Sequence, residues 1–119
     1  MKYVAIRNHI PEVADVLNLF DGDKLSYERR ESIYPGWIWC IDSKGLQAWV
    51  PEAFVTIKGS SCRMIRDYIS RELVVEEGDI VEVIELESGW GWAICETNEG
   101  GWIPMEFLER LNPQTFSDE

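Results

Sequence analysis

Hydrophobic and polar positions alternate along several short stretches of this chain. "KLSY" (Lys24 to Tyr27) and "IVEV" (Ile80 to Val83) place Leu25 with Tyr27, and Val81 with Val83, on one face of a strand. "WIWC" (Trp37 to Cys40) and "WGWA" (Trp90 to Ala93) alternate in the same way. Residues two apart on a strand share a face, so Trp37 and Trp39 point one way and Ile38 and Cys40 the other. Small and aliphatic side chains suit a crowded interior, which puts the tryptophans outside. The same logic turns Trp49 and Trp102 outward beside the core residues Val50 and Ile103. Gly22-Asp23 and Gly78-Asp79 stand ahead of strands as turn signals. No helical period of useful length is present, and Pro11, Pro35, Pro51 and Pro104 interrupt the chain too often for long helices. The pattern predicts an all-β protein built as small barrels or sandwiches.

The pattern also repeats. Trp37, Trp49, Pro51 and Phe54 recur 53 positions later as Trp90, Trp102, Pro104 and Phe107. "LNLFDGDKLSY" (from Leu17) matches "LVVEEGDIVEV" (from Leu73) at a spacing of 56, and "AIRNH" (Ala5 to His9) matches "MIRDY" (Met64 to Tyr68) at 59. The falling offset means that the second copy is shorter by three residues in each of two loops, where such changes are tolerated. Two domains are therefore expected, at 1–57 and 62–112, with a short linker at 58–61 and a C-terminal tail at 113–119. Each is near the lower size limit for a core without staples. Eight residues from Thr56 to Arg63 reach at most ~26 Å, so the two domains are expected to be neighbours.

Composition narrows the function. The chain has 119 residues, with 11 Lys and Arg against 22 Asp and Glu, for a net charge of −11. Such a balance repels phosphate backbones and anionic lipid, so no nucleic-acid or membrane-surface partner is expected. No apolar run reaches the length of a membrane span, and no signal-peptide core is visible at the start. Cys40, Cys62 and Cys95 do not have the spacing of a disulfide scaffold or metal site, which predicts reduced thiols in a cytoplasmic protein and no metal. A phosphate loop, a nucleophile elbow and HExxH are missing, so no enzyme activity, catalytic residue or cofactor is expected.

At its repeated motifs the sequence resembles a tandem of Src homology 3 (SH3) domains, of the ligand-binding type found in bacteria. The second copy runs "MIRDY", "ELVVEEGD", "GWGWA" and "GWIPMEFL", and the first "AIRNH", "LNLFDGD", "GWIWC" and "AWVPEAFV". The resemblance implies two five-stranded SH3-like barrels in tandem. It also implies grooves lined by aromatic side chains that take proline-containing peptides. Carried over residue by residue, one groove comprises Tyr68, Glu72, Trp90, Trp102, Pro104 and Phe107. The other comprises His9, Trp37, Trp49, Pro51 and Phe54. Arg7 and Arg66 stand where the family has a tyrosine, and Phe54 and Phe107 replace another. Val16 occupies the first-copy position of Glu72, with Asp15 and Glu12 nearby.

The expected partner is a protein or peptide, neutral or basic. Up to Lys58 the chain carries 7 basic and 8 acidic residues, and after it 4 and 14. An alternative is a structural or regulatory subunit whose aromatic faces pack between domains or between the protomers of a homodimer, leaving no groove free. Trp39, Trp49, Trp92 and Trp102 fit either cross-strand pairing or such an interface. A cell-wall-binding domain of the bacterial SH3 type is disfavoured by the acidity.

Overall fold

The structure is a computed structural model, described for residues 1–111. Along the chain run β1 (Lys2–Ala5), β2 (Asn18–Leu19), β3 (Lys24–Glu28), β4 (Trp37–Ile41), β5 (Gln47–Pro51) and β6 (Val55–Lys58). Then follow β7 (Ser61–Met64), β8 (Tyr68–Ile69), β9 (Ile80–Glu87), β10 (Trp90–Cys95), β11 (Gly100–Pro104) and β12 (Leu108–Arg110). Short 3-10 turns at Glu52–Phe54 and Met105–Phe107 follow Pro51 and Pro104, whose backbone angles are the same, φ −61 and ψ 130. The protein is all-β, as the alternation predicts.

Two compact units form, and they do not follow the expected boundaries at 1–57 and 62–112. Among the described residues, unit 1 combines residues 1–11 with 72–111, and unit 2 is residues 12–71. Residue 112 and the expected tail at 113–119 lie outside the described residues.

Unit 2 has a five-stranded sheet in the order β5-β4-β3-β7-β6, so the first strand of the second repeat, β7, sits between two strands of the first. β2 and β8 form a separate antiparallel pair, Asn18 opposite Ile69 and Leu19 opposite Tyr68. Unit 1 has the equivalent sheet β11-β10-β9-β1-β12, in which β1 sits between β9 and β12 of the second repeat. Each repeat has given its first strand to the other.

A local cause lies at Gly59-Ser60. β6 and β7 pair antiparallel with Lys58 opposite Ser61, which leaves a two-residue hairpin turn. Gly59 has φ +61, the sign that a hairpin turn of this length requires at its first central position and that only glycine adopts freely. The turn delivers the incoming strand to the place between β3 and β6 that the first repeat's own strand would otherwise occupy. Gly59-Ser60 is therefore a turn and not a linker.

Equivalent turns carry the exchange as matching hydrogen bonds. Gly22 N–H donates to Met64 O and Gly78 N–H to Ala5 O, both at 2.8 Å. Asp23 Oδ2 accepts from Phe20 N–H, and Asp79 Oδ2 from Glu76 N–H, each at 2.9 Å. Ile65 N–H donates to Phe54 O and Ile6 N–H to Phe107 O, each at 2.9 Å.

The strand faces fall as the alternation requires. Ile38, Cys40, Val50, Ala93 and Ile103 are all fully buried, while Trp37, Trp39, Trp90 and Trp92 are half-buried on the other face. Unit 1 closes on Ala5, Leu73, Val75, Val81, Ala93, Ile103 and Leu108. Ala5 is the contribution of the exchanged strand. In unit 2 the equivalent position is filled by Met64, which is 1% exposed.

Candidate functional site

In unit 1, β1 runs on into Arg7 and His9, and this segment lies beside the turn at Met105–Phe107. His9 is buried. Its ring meets Trp90 edge-on at 5.8 Å between centroids and Phe107 at 5.4 Å. His9 Nδ1 lies 2.8 Å from Leu73 O. A carbonyl oxygen only accepts, so Nδ1 carries the hydrogen. Nε2 lies 3.2 Å from Glu72 Oε1, with both side chains largely removed from solvent. The pair sets a ring nitrogen against a carboxylate oxygen inside the unit. The Arg7 guanidinium stacks on the outer side of Phe107, 4.1 Å from the ring centroid. Trp90 is paired across the ladder with Pro104, so both stand on one face of the sheet.

Gly101 makes room for this arrangement. A Cβ there would lie 2.6 Å from Leu73 N and 2.8 Å from Glu72 C, so only glycine lets the 72–73 backbone cross β11 this closely. Leu73 N–H donates to Trp102 O at 2.9 Å, which fixes the crossing and sets Glu72 behind His9.

In unit 2, Tyr68 occupies the position that His9 has in unit 1. It packs edge-on against Phe54 at 5.6 Å, and its hydroxyl donates to Trp49 O at 3.1 Å. Arg66 stacks on Phe54 at 4.0 Å. Trp37 is the ladder partner of Pro51. Asp15 Oδ2 accepts from Gln47 N–H at 3.0 Å, which ties this acid to β5.

The expected groove memberships are therefore corrected. His9 belongs with Glu72, Trp90 and Phe107, and Tyr68 with Trp49 and Phe54, because the strands that carry them have changed places. Trp102 is a second correction: it is 3% exposed where the strand pattern turns it outward. Its side of the sheet is the expected one, but Trp92 packs edge-on against it there. Pro51, Phe54, Pro104 and Tyr68 are also buried, while Trp37, Trp49, Trp90 and Phe107 keep part of their surface in solvent. Trp39 and Trp49 are direct cross-strand partners with centroids 5.3 Å apart, and Trp92 and Trp102 likewise at 5.6 Å. Each pair is edge-to-face, the arrangement that aromatic quadrupoles favour. Trp39 Nε1 donates to Gln47 Oε1 at 2.7 Å.

The stacked arginines were legible as substitutions, but their packing on phenylalanine was not. The signal is that each copy carries one such Arg and one such Phe, which the exchange joins across copies: Arg7 with Phe107, and Arg66 with Phe54.

Residues 61–111 match the family model described as "Variant SH3 domain". That stretch is similar to a variant SH3 domain in sequence. Its first strand, β7, lies in unit 2 and the remainder in unit 1. The chain is also 45% identical over 42 residues to "SH3 and PX domain-containing protein 2A" of Mus musculus and to that of Homo sapiens. Those 42 residues are 34% of this chain and 4% of either relative. No solved structure matches. SH3 domains are protein-interaction modules. Among the described residues no helix is long and apolar enough to cross a membrane.

Proposed function

We propose that the protein is a non-catalytic protein-binding module that takes extended peptides against two composite aromatic faces. The observation that carries this reading is the recurrence, in both units, of a half-buried tryptophan beside a buried proline on one side of the sheet. An arginine-capped phenylalanine stands next to a buried ring in each unit as well. Clustered, partly exposed aromatics are what a recognition surface needs. Trp90, Phe107 and the edge of Glu72 form the face of unit 1, with His9 and Pro104 beneath. Trp37 and Trp49 form that of unit 2, with Pro51, Phe54 and Tyr68 beneath.

The two faces differ in charge. Among the described residues unit 1 carries three basic and eleven acidic ones, a balance of −8, and unit 2 eight and nine, a balance of −1. A peptide for unit 1 carries Lys or Arg beside its apolar or proline positions. Exposed charges are screened beyond ~8–10 Å at physiological salt, so its affinity falls as salt rises. Arg7 and Arg66 replace an open aromatic wall with a cation, which disfavours a second basic residue at that end.

The test is an unbiased peptide-display selection on the whole chain, with bound positions mapped by NMR shifts. Basic, apolar or proline-containing peptides that shift Trp90 and Phe107 support the reading. Trp90→Ala should weaken them by on the order of 2 kcal/mol. Acidic peptides, or binding that ignores Trp90→Ala, contradict it.

A further inference from the structure

We infer that the strand exchange is selected by the inward side chains of the two first strands, with His9–Glu72 as its polar key and Met64 as its apolar one. The Gly59-Ser60 turn brings β7 to β6, but it says nothing of where β1 goes. The repeat offset makes Tyr3, Ala5 and His9 equivalent to Cys62, Met64 and Tyr68. If each repeat kept its own first strand, these residues would trade places.

The two sets do not fit each other's sites. In unit 1 the space beside Gly91 is taken by Met105, whose Sδ is 2.7 Å from where a Cβ would stand. Ala5 suits that filled core, and Met64 in its place would compete with Met105. In unit 2, Met64 is among the largest fully buried side chains, and Ala5 there would leave a void. Cys62 is 2% exposed and its thiol meets that of Cys40, so Tyr3 in its place would force a phenol into a closed interior.

The polar sites are equally selective. His9 brings two ring nitrogens, Nδ1 to Leu73 O and Nε2 to Glu72 Oε1, where Tyr68 has a single hydroxyl. In unit 2 the position equivalent to Glu72 is Val16, so His9 there would have no carboxylate. A buried polar pair present in only one of two alternatives is a means of choosing between them.

The test uses the whole chain with a protease site inserted between Gly59 and Ser60. It is cut, unfolded, refolded and separated by size. With the parental residues the two fragments co-elute as a one-to-one pair, because each unit needs both. The transposed variant (Tyr3→Cys, Ala5→Met, His9→Tyr, Cys62→Tyr, Met64→Ala, Tyr68→His) lets each repeat close on its own first strand, and the paired fraction is lost. His9→Tyr with Tyr68→His alone leaves the apolar core residues in place and should lose part of it. Separation of the parental fragments overturns the inference, and so does undiminished pairing in the two-residue variant.

Discussion

Nε2 of His9 lies 3.2 Å from Oε1 of Glu72, joining the first strand of one repeat to the second repeat inside a single unit. Around this contact stand Trp90, Phe107 and the carbonyl of Leu73. It ties the stability of unit 1 to the residues of its candidate face. Glu72→Ala removes the acceptor and leaves a buried ring nitrogen without it. Hydrogen bonds to charged groups contribute about 1.5–3 kcal/mol, so unit 1 should lose stability in that range. Denaturant titration followed through the amide peaks of Val81 and Ile103 checks this. No change there would remove the pair from the account.

Gly101→Ala should be costlier than its chemistry suggests. The added methyl meets backbone atoms of Glu72 and Leu73, which cannot swing aside as a flexible side chain would. A loss of about 1–3 kcal/mol is expected from overpacking, with the 72–73 crossing displaced. Thermal unfolding measures the loss, and a shifted Trp102 indole signal reports the displacement. Gly45→Ala has open space around it and instead reports the cost of its positive φ alone.

The thiols should react in a fixed order. Cys95 is only partly covered, and hydrogen bonding to Thr97, led by the Oγ1 contact at 2.9 Å, lowers its pKa. Burial pushes the Cys40 and Cys62 thiols up. The thiolate is the reactive form, so one equivalent of label should go to Cys95 in the native protein. Cys40 and Cys62 should follow only at the rate of unfolding. Peptide mapping after timed labelling decides it, and early modification of Cys40 would contradict the assignment of strand faces.

Arg29 and Glu52 form an exposed bidentate pair, with Nη1 to Oε1 at 3.0 Å and Nη2 to Oε2 at 3.2 Å. Hydrogen bonding from Arg29 holds the Glu52 carboxyl below its ordinary value. A carboxylate depressed in the folded state contributes its stability above the unfolded pKa, about 4.3. That contribution fades as pH falls through the lower folded value. At neutral pH, Glu52→Gln should cost less than ~1 kcal/mol, as exposed pairs do. The difference from the parent should vanish in acid, which denaturation at a series of pH values measures.

Much of this was readable from residues alone. Alternation placed Ile38, Cys40 and Val50 inside and their tryptophan neighbours outside, because strand geometry gives each side chain only two directions. The repeated Gly-Asp pairs marked equivalent turns, since both demands are local. What alternation cannot say is which copy of a repeated strand pairs with which, for β1 and β7 carry the same period. The exchange had one local signal, Gly59-Ser60 between alternating runs, a two-residue hairpin sequence that also reads as a linker. Trp102 lies on the side that alternation assigns, but its ring packs against its cross-strand partner Trp92, a contact that strand period does not give.

Scalar couplings through backbone hydrogen bonds decide whether each unit is completed by the other repeat's first strand. Couplings are expected from Gly78 N–H to Ala5 O and from Gly22 N–H to Met64 O, both 2.8 Å bonds. Further couplings are expected from Ala5 N–H to Asp79 O and from Met64 N–H to Asp23 O. Couplings from Gly22 to Ala5 and from Gly78 to Met64 instead would mean that each repeat keeps its own strand, and would contradict the exchange.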